Sequence, residues 1–147
     1  MAGSTRDPAL ADLAEAIYHN LRALGLFVRA RHHGLGFCEI VASTSPKLVT
    51  TPDGKEASGI ALLLASAYDP PTLVFEEINS LQRGLGRKMV AAALEPSIGA
   101  FPRVRVNDLS PFQTDGLRWW EHVARVHAAF EWVITHDADA THTRPGS

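Results

Sequence analysis

Residues 73–89 constrain this fold more than any other stretch: Leu-Val-Phe-Glu-Glu-Ile-Asn-Ser-Leu-Gln-Arg-Gly-Leu-Gly-Arg-Lys-Met, an apolar run that meets a basic glycine turn and then an apolar helix. Strand, turn and helix N-terminus in that order build an anion site. Glycines let the backbone curl so that several N–H groups point at one spot, and the positive end of the helix dipole adds to their pull on a phosphate. Arg83, Arg87 and Lys88 surround that spot with mobile positive charge.

The remaining sequence has to supply a core for this element. At 147 residues, 46% of them hydrophobic, the chain fits one domain spanning 1–147 and is too short for two ordinary ones. Its formal charge of -2, from 14 Lys+Arg against 16 Asp+Glu, gives no global field for nucleic acid or an anionic membrane. A local basic pocket is still allowed. The single cysteine, Cys38, lies in an apolar run and is expected to be a buried thiol in a reducing, cytoplasmic setting. The longest apolar run, 60–65 with its neighbours, falls well short of the roughly 20 residues of a membrane span, so a soluble, unprocessed chain is expected.

Periodicity assigns the elements. Asp7-Pro8 reads as a cap followed by proline in a first helical turn, and Leu10, Leu13, Ile17, Leu21 and Leu24 recur at helical spacing up to Gly25. Asp12, Glu15, His19 and Arg22 fall on its wet face. Short extended runs occupy 26–51, clearest at 37–43, with breaks at His33-Gly34 and Ser45-Pro46. Pro52-Asp53-Gly54-Lys55 reads as a tight turn, and 58–68 and 72–78 as a hairpin of two core strands. Leu85, Met89, Val90, Ala93 and Leu94 mark a helix that Pro96 should end. Then 104–109 alternates as a strand with Arg103, Arg105 and Asn107 on its other face. A helix over 116–127, a strand over 130–135 and a loose polar tail over 136–147 complete the chain.

At the glycine turn, Gln82-Arg83-Gly84-Leu85-Gly86 resembles motif A of the GCN5-related N-acetyltransferases, usually written Q/R-x-x-G-x-G/A. With the two glycines aligned, Leu81 stands at the family's first position, unless a shorter loop lets Gln82 or Arg83 substitute. Downstream, 113–124 (Gln-Thr-Asp-Gly-Leu-Arg-Trp-Trp-Glu-His-Val-Ala) resembles the family's motif B, approximately N-x-x-A-x-x-L-Y-E-x-x-G. Motif A spans about 72–95, motif B about 104–127, and the resemblance as a whole covers roughly residues 58 to 135.

The resemblance implies an α+β fold, a mixed, mostly antiparallel central sheet flanked by helices, into which acetyl-coenzyme A or another acyl-coenzyme A wedges. Its pantetheine arm would extend the gap between the fourth and fifth strands, at 72–78 and 104–109. Cofactor contacts would come from Ile78, Gln82, Arg83, Gly84, Leu85, Gly86, Arg87 and Lys88, with pyrophosphate on backbone N–H groups of 83–87 and the 3'-phosphate within reach of Arg83, Arg87 or Lys88. The acceptor would be an amine on a small molecule or a protein, and a homodimer is compatible with the family.

Amide formation from a thioester needs a neutral amine, a polarised carbonyl and a protonated leaving thiolate. Glu76 or Glu77 can take the amine proton. Simple alternation lets only one of them face the acceptor, with Glu77 preferred because it shares a face with Phe75 and Asn79. The family's frequent acid, a tyrosine in motif B, is replaced by Trp120, whose indole cannot protonate a thiolate; Ser110 or a water would have to serve. Trp120 itself reads as core. Neither His32-His33 nor the tail histidines have a metal-ligand spacing, so no metal is expected. A non-catalytic acyl-coenzyme A binder or protein-interaction module of the same fold is the alternative, and a nucleotide-phosphate binder outside the family is weaker, because no Gly-Lys-Ser/Thr follows.

Overall fold

A computed structural model describes residues 8–48, 57–79, 84–107 and 114–134, apart from the side chains of residues 8 and 114–117. The elements follow the order α1 (Pro8–Ala23), β1 (Phe27–His33), β2 (Phe37–Ser43), β3 (Gly59–Ala65), β4 (Thr72–Asn79), α2 (Leu85–Ser97), β5 (Arg103–Val106), α3 (Thr114–Val126) and β6 (Glu131–Ile134). The six strands form one sheet in sequence order, β1-β2-β3-β4-β5-β6. The first four pair antiparallel, while β4 with β5 and β5 with β6 pair parallel. Parallel neighbours need a crossover, and α2 and α3 supply it. The architecture is therefore α+β with a mixed sheet, in line with the expected fold class.

One face of the sheet carries the core. Ile17 and Leu21 of α1, Ile40, Leu62, Leu73 and Phe75 of the strands, Met89 and Leu94 of α2, and Trp120 of α3 belong to a single buried cluster. Phe75, Trp119 and Trp132 all make ring contacts with Trp120, with centroids at 5.1, 4.8 and 6.3 Å. The core reading of Trp120 is right: the side chain is 2% exposed. Cys38 is buried too, on this same face. Val74 and Ala65 are buried but lie outside the cluster, on the opposite side of the pleat. That second face presents Arg29 and Arg31 of β1, Glu39 of β2, and Arg103 and Arg105 of β5, each alternating with core residues of its strand.

Several boundaries differ from the sequence pattern. The strand expected at 58–68 is Gly59–Ala65, and the one expected at 104–109 is described from Arg103 to Val106, with 108 and 109 outside the described residues. Helix α2 does not stop at Pro96; it runs through it to Ser97. Proline lacks the N–H that would bond the carbonyl four residues back. Here Asn20 of α1 donates its Nδ2 to Ala92 O at 3.1 Å, and Ser97 Oγ donates to Ala93 O at 2.7 Å, so the last turn keeps partners for its carbonyls. The turn expected at 52–55 and the tail at 136–147 lie outside the described residues.

Candidate functional site

Strand β4 is two strands in one. Its first half, Thr72, Leu73, Val74 and Phe75, is buried on both faces and hydrogen-bonded on both edges, to β3 and to Arg103, Val104, Arg105 and Val106 of β5. Asn107 N donates to Phe75 O at 2.9 Å as the last link to β5. The second half, from Glu76 to Asn79, stays paired with β3, while its other edge meets no strand among the described residues. Main-chain groups along a strand point alternately to its two edges, so only part of this half is directed toward the region beyond β5.

A register shift marks the change. Phe75 pairs with Leu62 but Glu77 pairs with Ala61, leaving Glu76 as the extra residue of a bulge. This corrects the simple alternation. Glu76 continues the Val74 side of the pleat, and Glu77 opposite Ala61 falls on that side as well. Ile78, opposite Ile60, returns to the core. Both carboxylates therefore face away from the helices. Phe75 is on the other side from Glu77, whereas Asn79 does share its face, donating Nδ2 to Glu77 Oε2 at 3.3 Å.

The two carboxylates differ in environment. Glu76 is solvent-accessible, yet partial burial raises its carboxyl above the usual 4.5, with the charge of Glu39 adding to the effect. Glu39 lies two strands away, opposite Leu63, and its Oε1 is 3.7 Å from His33 Nε2. Its part in the site carries no local sequence signal, because 37 residues of chain separate it from Glu76 and only the sheet register brings them together.

At the far end of β4 the chain re-enters as α2. Gly84 occupies the N-cap with φ +85, no side chain caps the helix, and the first turn holds no acidic residue. Lys88 N donates to Gly84 O at 3.2 Å, which leaves the N–H groups of Leu85, Gly86 and Arg87 without intrahelical acceptors. A Cβ at Gly84 would meet nothing within 4 Å, so the left-handed backbone, rather than crowding, requires glycine. Gly86 is not among the positive-φ glycines; it lies in the first helical turn. Leu85 is buried and anchors the turn to the core, while Arg87 and Lys88 are exposed beside it.

The other expected site residues fare differently. Ile78 packs its side chain against the core, so that side chain is not directed at a ligand. Gln82, Arg83 and Ser110 lie outside the described residues. Among the described residues no group of three or more His, Cys, Asp or Glu side chains is arranged to hold a metal, and no helix is long and apolar enough to cross a membrane. Comparison with protein-family models, with curated proteins and with solved structures returns no match.

Proposed function

We propose that the protein is an acyl-coenzyme A dependent N-acyltransferase that transfers an acetyl or related acyl group to an amine by direct attack. The observation that carries this reading is that, among the described residues, β4 pairs with β5 only as far as Phe75, upstream of a basic, glycine-led helix N-terminus with no side-chain cap. A strand edge that meets no neighbouring strand among the described residues suits an extended, amide-bearing arm, and the helix N-terminus offers N–H groups and positive potential to its phosphates. One ligand class with both parts is an acyl-coenzyme A, in agreement with the motif A resemblance of residues 82–86.

In this reading the acceptor ammonium gives a proton to Glu76 or Glu77, its nitrogen bonds to the acyl carbon, and the C–S bond breaks. As the amide forms, the nitrogen sheds its second proton, which Ser110 or a water relays to the thiolate. The raised proton affinity of Glu76 suits a base working nearer neutrality, since an ordinary glutamate is too weak a base for an ammonium. Glu77, held by Asn79, has the more fixed position.

A second reading is a binding module that holds acyl-coenzyme A without turnover. It is favoured by Trp120, which fills the position of the family tyrosine and is locked among Phe75, Trp119 and Trp132. Calorimetric titration with acetyl-coenzyme A tests both readings, and saturable binding is expected. Absence of binding would remove both, whereas binding without coenzyme A release across a broad amine panel would leave the module.

A further inference from the structure

At the opposite end of β4 from the glycine turn, on the sheet face away from the helices, lies a cavity of ≈ 210 Å³ lined by Tyr68, Asp69, Thr72, Arg103, Arg105 and Val133. Its floor is the start of the parallel β4–β5 pair, where Thr72 sits beside Arg103. One wall is the turn between β3 and β4, which carries Tyr68 and Asp69, and the other is β6. The volume is several times the roughly 30 Å³ a water molecule occupies, enough for a small organic ligand.

The charges around it are unequally matched. Arg103 is satisfied: its Nε and Nη2 donate to the two carboxylate oxygens of Glu131 at 3.1 and 3.3 Å, a forked pair that holds β5 to β6. Arg105 spends only Nε, on Asn107 Oδ1 at 3.1 Å, and pairs with no carboxylate among the described residues. Asp69 likewise has no ionic partner among them, although it lines the same cavity. Two opposite charges that share a small cavity without meeting are complementary to a ligand that carries both signs.

We propose that this cavity binds a small zwitterion bearing an ammonium and a carboxylate, a free amino acid being the simplest. The guanidinium Nη groups of Arg105 form a fork for the carboxylate, and Asp69 receives the ammonium. Tyr68, 42% exposed at the rim and edge-on to Phe37 at 5.7 Å, supplies a ring wall beside the ligand's side chain. Thr72 Oγ1 donates to Pro70 O at 2.9 Å and keeps lone pairs for a donor on the ligand. This site needs no cofactor and stands apart from the acyltransferase reading.

The test is ligand-observed NMR on the full chain without coenzyme A, with the free amino acids screened singly, followed by calorimetry on any binder. The binder's methyl ester lacks the carboxylate and its N-acetyl derivative lacks the ammonium. Each should bind at least tenfold more weakly than the parent. Arg105→Gln should weaken the amino acid tenfold without further weakening the ester, and Asp69→Asn should do the same without further weakening the N-acetyl form. No amino acid binding at millimolar concentration would overturn the proposal, as would an ester or N-acetyl form that binds as well as the parent. Should a variant fail to fold, the comparison of derivatives on the wild-type chain decides alone.

Discussion

The two halves of β4 contrast sharply over eight residues. From Thr72 to Phe75 the strand is buried on both faces and paired on both edges, and from Glu76 to Asn79 it is partly exposed, bulged and, among the described residues, paired with a strand on one edge. The first half is built for stability and the second for access. A buried strand between two neighbours satisfies its main-chain groups within the sheet and leaves no place for an unpaired charge, whereas a bulge at the end of a strand's pairing re-aims side chains. Two adjacent carboxylates fit only in the second half.

If that division is correct, the largest effect comes from the first half. Phe75→Ala should cost about 3–5 kcal/mol by urea unfolding, because it removes a fully buried ring that packs against Trp120. Glu76→Gln and Glu77→Gln should leave the unfolding midpoint nearly unchanged. A large stability loss from either would break the comparison.

In the second half the expected loss is catalytic. Replacing whichever carboxylate is the base should lower kcat/KM by roughly 10²-fold at neutral pH while acetyl-coenzyme A affinity barely moves. Because both residues lie on one face, the two single variants can share the loss, with the double variant worse than either. Equal, full activity in all three would end the general-base assignment.

Gly84→Val comes next. Its cost should be roughly 1–2 kcal/mol of backbone strain from a positive φ, together with a tenfold or greater loss of coenzyme A affinity. Gly86→Val should weaken binding by crowding the helix N-terminus without comparable strain. Calorimetry and thermal unfolding on both variants separate the two glycines.

The smallest effect concerns pH. The folded state holds the Glu76 proton more tightly than the unfolded chain does. Its contribution to stability is therefore present at low pH and lost as pH rises from the ordinary 4.5 through the raised folded value. Glu76→Gln should flatten the fall in stability over that window, and Glu39→Gln should do so partly, by removing the second cause. Unfolding midpoints measured from pH 4 upward, in steps of about half a unit, would show it. An unchanged profile in both variants would remove the coupling between β2 and β4.

What the sequence determined by itself was the local content: α1 from its apolar spacing and Gly25, the strand Phe37–Ser43 and the 72–78 part of β4 from their apolar runs, the glycine turn that starts α2, and the alternation that sets Arg103 and Arg105 opposite Val104 and Val106. These depend on periods of two and 3.6 residues and on backbone preferences that each residue carries with it. Tertiary structure alone decided the rest. The bulge that turns Glu76 and Glu77 to the same face arises from a mismatch between β3 and β4, which neither strand encodes separately. Helix α2 outlasts Pro96 with Asn20, 72 residues before Ala92, bonding the Ala92 carbonyl that the proline leaves without its helical donor. Glu39 acts on Glu76, and Asp69 and Arg105 line one cavity, only because the sheet brings distant segments side by side. Side-chain direction and charge pairing depend on register and packing across long loops, and no local preference records those.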